Sequence, residues 1–576
     1  MTIRAIPGYR LPTDPARAGG KATQGFVTPK QDRTPQVHSI PPRRVLPIIF
    51  LPGIMGSNLR MSAERQDELK KKNNIAWRPD NLRECLGMIN ATPAERQLRL
   101  DPAASVVDEY DPINNPTGDP NETSDERNES VEVDFWYRLD VTVDSPLLKD
   151  DPYGSKARKM KEQKARERGW GEVFFGSYRE LLEMCEKHLN TAFFGGKMDS
   201  WWKQVVDVDP ATWQAHMQPA LKPLDEQSLR DALRGCWFPV HAMGYNWLQS
   251  NRDSGKLVAN RIRHLMERYK VQGFQCEKVI IVTHSMGGLV ARAAIHPKMG
   301  KLQSEVLGIV HGVMPAIGAG AAYKRMRCGF EDSTFDAAPK VLGNFGDEVT
   351  AVLANAQGGL ELLPSQAYGN DWLRVTHKKE TLKSLPKTGD PYEEIYKLRG
   401  AWYALLREEW INPAQREKDS SFKATCALLD KAKAFHNAIA DTYHDQSYAH
   451  YGADFRNAAW HRVSWSIMDA AHVADVETIR IVADTRQGEL HVVDRSHPSP
   501  AGKVGPQFVT CMTPPGDPGD QTVPLHSAEH QLRSGKFKGV FRQSGYEHQA
   551  SYKDESALHS TLYSLVRIAQ TMRWSK

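Results

Sequence analysis

A serine that is to attack a carbonyl needs a sharp turn that lifts its hydroxyl clear of the backbone, small neighbours, and a base within hydrogen-bond reach. The run Val279-Ile-Ile-Val-Thr-His-Ser-Met-Gly-Gly-Leu-Val-Ala-Arg-Ala-Ala-Ile295 has that form around Ser285. A buried strand runs into the serine and a small-residue helix runs out of it. Gly287 is the small neighbour that follows. Thr283, two residues before the serine, departs from the usual glycine and has to tuck its side chain aside. His284 and Met286 occupy the variable positions. A serine at such a turn could equally be a helix N-cap, but a cap has no need of the double glycine.

Attack on a carbonyl also requires two N–H donors for the developing oxyanion, an acid and a base. Pro47-Ile-Ile-Phe-Leu-Pro-Gly-Ile-Met-Gly-Ser-Asn-Leu59 is a short apolar strand entering a glycine loop. The N–H of Ile54 is the expected partner of the N–H of Met286, with Met55 the alternative. Acid and base should follow the serine in the order Asp, His. Asp520, in Gly519-Asp520-Gln-Thr-Val-Pro524, is the expected acid, with Asp517 and the more distant Asp484 as alternatives. His548, in Gly545-Tyr-Glu-His-Gln549, is the expected base. His526 and His530 come too soon after Asp520, and His559 falls inside the last helix. His311 is expected at the mouth of the pocket rather than as the base. With Ser285 as nucleophile, His548 as base and Asp520 as orienting acid, an acyl-enzyme route follows that requires no metal and no cofactor.

The elements that must hold these residues alternate. Apolar runs at Val45–Leu51, Val279–Val282 and Val306–Val310 read as buried parallel strands, and 257–269 reads as a helix between two of them. The expected fold class is α/β, a mostly parallel sheet with large inserted, partly helical cap or lid subdomains. Residues 1–43 read as an extended arm rich in proline. The core is expected from 44–60, 236–345 and 475–576. The block 61–235 reads as an insertion that carries an acidic loop (108–134) and a basic segment (156–168). The block 346–474 reads as a helical insertion, with helices over 396–409 and 424–443 and a last helix carrying Leu558, Leu562, Leu565 and Ile568 on one face.

The 576 residues would allow about three or four domains as separate beads. The long stretches between Ile54 and Ser285, and between Ser285 and Asp520, place the surplus inside one catalytic domain instead. Lys+Arg of 75 against Asp+Glu of 70 is too slight an excess for a nucleic-acid binder. No apolar run is long enough to span a bilayer, and residues 1–30 lack the apolar core of a signal peptide. The seven cysteines are widely spaced without a C-x-x-C pair, against a zinc ribbon or a disulfide scaffold. The adjacent Trp201-Trp202 and the basic segment are weak pointers to a lipid surface, since both patterns are more often core and solvated helix respectively.

With the Pro-Gly-Ile-Met-Gly-Ser-Asn-Leu59 loop, Gly244-Tyr-Asn-Trp247, Thr-His-Ser-Met-Gly-Gly288 and Gly-Asp-Gln-Thr-Val-Pro524, the chain resembles the lecithin:cholesterol acyltransferase and lipase branch of the α/β-hydrolases. His311-Gly-Val-Met-Pro315, Ala321-Ala-Tyr-Lys-Arg-Met326 and Gly545-Tyr-Glu-His-Gln549 further resemble the third family of type VI secretion lipase effectors. The resemblance implies an antibacterial phospholipase, synthesis in the cytoplasm without a signal peptide, and secretion into a target cell's periplasm. It also implies a cognate immunity protein and docking to a type VI spike protein or adaptor. An acyltransferase, in which an alcohol resolves the acyl-enzyme, and a non-catalytic hydrolase fold kept as a binding module are the alternatives.

Overall fold

Runs that are apolar on both sides can be satisfied only inside a sheet covered on both faces, and six strands here meet that condition together. They are β1 (Ile48–Leu51), β2 (Val240–Ala242), β3 (Val279–His284), β4 (Val306–Gly312), β5 (Ser447–Gly452) and β6 (Phe537–Gln543). They form one parallel sheet in the order β2-β1-β3-β4-β5-β6. The structure, a computed structural model, describes residues 42–110, 164–194, 196–331, 338–416, 421–468, 475–495 and 507–575, and the strands Asp14–Pro15, Lys21–Gly25 and Gln36–Ile40. Most of the acidic loop and the first part of the basic segment lie outside the described residues.

Helices cover both faces of the sheet. They include α1 (Phe175–Asn190), α2 (Asn251–Val271), α3 (Gly287–Ile295), α4 (Phe422–Ile439) and α5 (Glu555–Ala569). Alternate residues of the strands enter two apolar clusters. Ile49, Ile281 and Ile309 pack with Val258 and Ile262 of α2, Leu289 and Val290 of α3, and Leu429 of α4. Ile48, Phe50, Ile280, Val282 and Val310 pack with Leu181 and Leu182 of α1 and with Leu558, Leu562 and Leu565 of α5. The starts of α2 and α5 are fixed by N-caps: Ser250 Oγ accepts from the N–H of Arg252, and Asp554 from that of Ala557. Gly255 lets α2 lie directly on α3, because a Cβ there would sit 2.6 Å from that of Ala293.

A second six-stranded sheet is built from the inserted chain. Its order is Glu380–Leu385, Leu373–His377, Val463–Met468, Gln507–Met512, Glu489–Asp494 and Ile479–Asp484. All its pairings are antiparallel except that between Leu373–His377 and Val463–Met468.

Three expectations differ from this arrangement. The block 346–474, read as a helical insertion, contains β5, a strand of the central sheet. Ser447-Tyr-Ala-His-Tyr-Gly452 carries no aliphatic run, so its complete burial was hidden by its composition. The block 475–576, read wholly as core, contains three strands of the second sheet, and their alternating burial marks strands covered on one main face. The helix expected over 396–409 is replaced by the single π-helical turn Tyr392–Tyr396 and the short helix Glu408–Ile411.

The pointers to a lipid surface also resolve into packing. Trp202 is fully buried, and Trp201 is partly buried and stacks on His188 with ring centroids 3.6 Å apart. At the described end of the basic segment, Arg166 and Arg168 are buried, the latter 2.5 Å from Glu186.

Candidate active site

Strand β3 delivers Ser285 at its carboxyl end, where the backbone turns through φ = +51° before α3 begins. A left-handed conformation at a residue with a Cβ costs roughly 1–3 kcal/mol and persists only where neighbours enforce it. Here the Ser285 N–H donates to the carbonyl of Gly312 at 2.8 Å, tying the turn to the end of β4. Gly287 is required by close approach: a Cβ would lie 2.4 Å from the carbonyl oxygen of Leu51 and 2.6 Å from that of Pro52. Thr283 does tuck aside. It is fully buried with its Oγ1 3.4 Å from His311 Nδ1.

The loop after β1 meets the same turn. A Cβ on Gly53 would stand 2.8 Å from His284 Nδ1 and 3.1 Å from Ser285 Cβ, so only glycine lets the loop lie against the nucleophile. Among the described residues the N–H groups of Ile54 and Met286 donate to no protein acceptor. Met286 stands at the amino end of α3, where the helix dipole favours negative charge. Met55 has φ = +61° and its carbonyl is held by Trp77 Nε1 at 2.6 Å.

Asp520 follows the short strand Asp517–Gly519, which pairs with Asp454–Ala459 just beyond β5. Gly452 at the end of β5 makes room for it, since a Cβ there would come within 2.7 Å of the Asp520 Cβ. One carboxylate oxygen of Asp520, Oδ1, accepts from the N–H groups of Thr522 and Val523 at 3.1 and 2.7 Å. The other, Oδ2, lies 3.0 Å from Nδ1 of His548, and Nε2 of His548 lies 2.9 Å from Oγ of Ser285. A carboxylate only accepts, so Nδ1 carries the proton and Nε2 is left to accept from the serine hydroxyl. Ser285, Asp520 and His548 are 5%, 1% and 8% exposed, so the chain of hydrogen bonds is sheltered from water.

The other candidates are engaged elsewhere. Asp517 bonds the N–H and guanidinium of Arg462, and Asp484 pairs with Arg327 and Arg407. His526 Nε2 lies 2.8 Å from the carbonyl of Tyr368, and His530 faces the hydroxyl of Tyr443. His559 packs beside Trp201 and Trp213. His311, expected at the pocket mouth, is instead wholly buried against Thr283 and Phe537. Its place in the middle of a sheet covered on both faces accounts for this.

Two residues beside the site carried no motif weight. His284, in a variable position of the turn, is buried between Tyr178 of α1 and the backbone of His548. Burial first, and the neighbouring His548 second, hold its pKa well below the usual histidine value. Tyr178 belongs to the inserted block and meets the site only through tertiary contact, so nothing local in the sequence announces it.

Residues 247–325, which span the Ser285 turn, match the family described as PGAP1-like alpha/beta domain. No curated protein matches the sequence. Among solved structures, the one described as "The crystal structure of Tle4-Tli4 complex" is similar with 29% identity and a TM-score of 0.70, covering 92% of this chain and 99% of that one. The sequence resemblance to type VI secretion lipase effectors is borne out at that level. The sequence reading named the third family, and the similar solved chain is Tle4. The chain is an α/β-hydrolase-like protein whose inserted helices and sheets surround a six-stranded parallel core, similar over nearly its whole length to a type VI secretion lipase effector.

Proposed function

We propose that this chain, a hydrolase of lipase type by likeness, is a serine phospholipase that cleaves ester bonds of membrane phospholipids through an acyl-enzyme. The observation that carries the reading is the Asp520–His548–Ser285 hydrogen-bond chain ending at a strained serine. In this reading His548 Nε2 takes the Ser285 proton as Oγ attacks the ester carbonyl carbon. The oxyanion is met by the N–H groups of Ile54 and Met286. His548 then returns the proton to the departing alcohol, and water repeats the attack on the acyl-enzyme to release a fatty acid. Asp520 keeps the proton on Nδ1 and offsets the imidazolium charge.

The likeness to Tle4 supports a role as an antibacterial toxin delivered by type VI secretion and acting on lipid in a target cell's periplasm. That Tle4 is solved in complex with Tli4 supports a cognate immunity protein for this chain. Docking to a spike protein or adaptor belongs to the same proposal. Among the described residues no helix is long and apolar enough to cross a membrane.

The test is incubation of wild type and Ser285→Ala with defined phospholipid vesicles, with and without an alcohol acceptor, and identification of products by mass. Free fatty acid that requires Ser285 is the expected result. Acyl transfer to the alcohol in place of hydrolysis would make the chain an acyltransferase. Failure of a fluorophosphonate to label Ser285 in folded protein would leave a binding module.

A further inference from the structure

Three loops must keep fixed relative positions for the chemistry proposed above: the one after β1 with Ile54, the turn at Ser285, and the one with His548. One buried side chain from outside the parallel sheet, Tyr178 of α1, bonds both the loop after β1 and the residue before the nucleophile, a bridge distinct from the single contacts that Tyr245 makes with Pro52 and Tyr552 with Thr283. The Tyr178 hydroxyl lies 3.2 Å from the N–H of Gly53 and 3.2 Å from Nδ1 of His284, and Nε2 of His284 lies 3.0 Å from the carbonyl oxygen of His548.

The protons along this path have one consistent arrangement. The His548 carbonyl can only accept, so His284 Nε2 carries a hydrogen and donates it. Its Nδ1 is then an acceptor, which the Tyr178 O–H satisfies, and the Tyr178 oxygen accepts from Gly53. The arrangement needs His284 neutral, and burial keeps it so. It also needs Tyr178 protonated, and burial pushes that hydroxyl up to about 12.

The preceding residue reinforces the contact. Ser177 Oγ accepts from Gln549 Nε2 at 2.6 Å, so adjacent residues of the first turn of α1 hold the chain at 548 and 549. The ring of Tyr178 is seated on Phe50 with centroids 4.7 Å apart, and a Cβ on Gly56 would come within 2.7 Å of its hydroxyl. Tyr178 is therefore held in place from both sides.

We propose that Tyr178, acting through His284, is a positioning residue for the serine-hydrolase reaction: one hydroxyl sets the oxyanion loop, the nucleophile turn and the base loop in a single register. The inference rests on the serine-hydrolase reading of Ser285. It gives the inserted block between β1 and β2 a part in the chemistry, because α1 is contributed by that block and not by the strand-and-helix alternation that runs from β2 to β4.

The experiment compares wild type with Tyr178→Phe, His284→Gln and His284→Leu by fluorophosphonate labelling rate, by kcat and KM on a soluble short-chain ester, and by melting temperature. Tyr178→Phe keeps the ring on Phe50, so its melting temperature should stay close to wild type. Labelling rate and kcat should both fall by roughly 10²-fold, as for sub-ångström to ångström misplacement of reacting groups, while KM changes little. His284→Gln keeps an amide donor for the His548 carbonyl and an acceptor for Tyr178, and should retain far more activity than His284→Leu. Tyr178→Phe combined with His284→Leu should cost no more than the worse single change, because both interrupt one path. Wild-type labelling rate and kcat in Tyr178→Phe would overturn the proposal, as would losses in all variants that merely follow melting temperature. If wild type itself is not labelled at Ser285, the serine-hydrolase reading fails as well. Normal wild-type labelling with an unaffected Tyr178→Phe removes the positioning role alone.

Discussion

His548 is bound to Asp520 twice: its backbone N–H donates to the Asp520 carbonyl at 2.8 Å, and its Nδ1 lies 3.0 Å from the Asp520 carboxylate. The backbone bond fixes where the histidine loop sits, and the side-chain bond fixes which way the ring faces and which nitrogen holds the proton. These functions are separable by substitution.

Asp520→Asn leaves the backbone bond intact and keeps an oxygen for the N–H groups of Thr522 and Val523. Its amide NH2 would then face His548 Nδ1 and force the wrong tautomer, so that Nε2 could no longer accept from Ser285. We expect a loss of about 10⁴-fold in kcat with an unchanged melting temperature. Asp517→Asn, altered at a half-buried carboxylate that faces Arg462 and His461 and not His548, should stay within a few-fold of wild type. Steady-state hydrolysis of a soluble ester by the two variants reads this directly, and equal losses would reassign the acid.

The strain at Ser285 makes a second, independent prediction. Ser285→Ala and Ser285→Gly should both be inactive, but only glycine relieves the left-handed backbone at φ = +51°. Glycine should therefore be the more stable of the two, by about 1 kcal/mol, within the range for releasing a strained turn. Denaturant titration of the pair tests it. A glycine variant no more stable than the alanine one would mean that the turn holds no recoverable strain.

The distance between what was legible in the sequence and what was not follows from the range of the interactions. Ser285, Asp520 and His548 could be found because each lies at a strand end within a recognisable local run, and the structure brings all three together. Strands β1, β3 and β4 could be found because continuous aliphatic runs have few other uses. Strand β5 could not, because Tyr448 and His450 supply its buried surface with polar-looking residues. The second sheet could have been separated from the core by its period-two pattern, visible in Ile479-Arg-Ile481 and again in Leu490-His-Val492, whereas β3 and β4 are buried throughout. Tyr178 was beyond reach: its partners are more than a hundred residues away in the chain, and a tyrosine in an amphipathic helix carries no signal of what it will touch.

Gly287→Ala should damage fold and activity together. The added Cβ meets two backbone carbonyls at 2.4 and 2.6 Å, and backbone atoms cannot swing aside as a side-chain tip can. Separation of β1 from the Ser285 turn is the only relief. We expect a destabilisation of about 1–3 kcal/mol, as for overpacking elsewhere in cores, with residual folded protein labelling slowly at Ser285. Wild-type labelling and stability in this variant would show that the loop and turn are not in the close contact described.

Buried histidines set the direction in which pH acts on stability. Burial lowers the pKa of His188, His311 and His450 to about 3, and that of His436 and His461 to about 4, from an ordinary 6.5. As pH falls below about 6.5 the unfolded chain takes up protons that these folded histidines refuse. Stability present above 6.5 is therefore lost progressively as pH falls toward 4 and then 3. Glu172 and Glu361 act in the opposite sense. Burial raises both to about 7, so the folded chain keeps protons that the unfolded chain releases near 4.5, and their contribution is present below 4.5 and lost as pH rises toward 7. Between 4.5 and 6.5 these five histidines outnumber the two carboxyls, and the melting temperature should fall as the solution is acidified through that window. His436 offers a single-site check, since its ring is fixed by the Tyr392 hydroxyl at 2.6 Å and the Glu361 carbonyl at 2.7 Å. His436→Gln removes one of these titrations, so its melting temperature should decline less steeply with acid than wild type, whatever its absolute value. A melting temperature that rises on going from pH 6.5 to 5 would place the dominant linkage on the carboxyls.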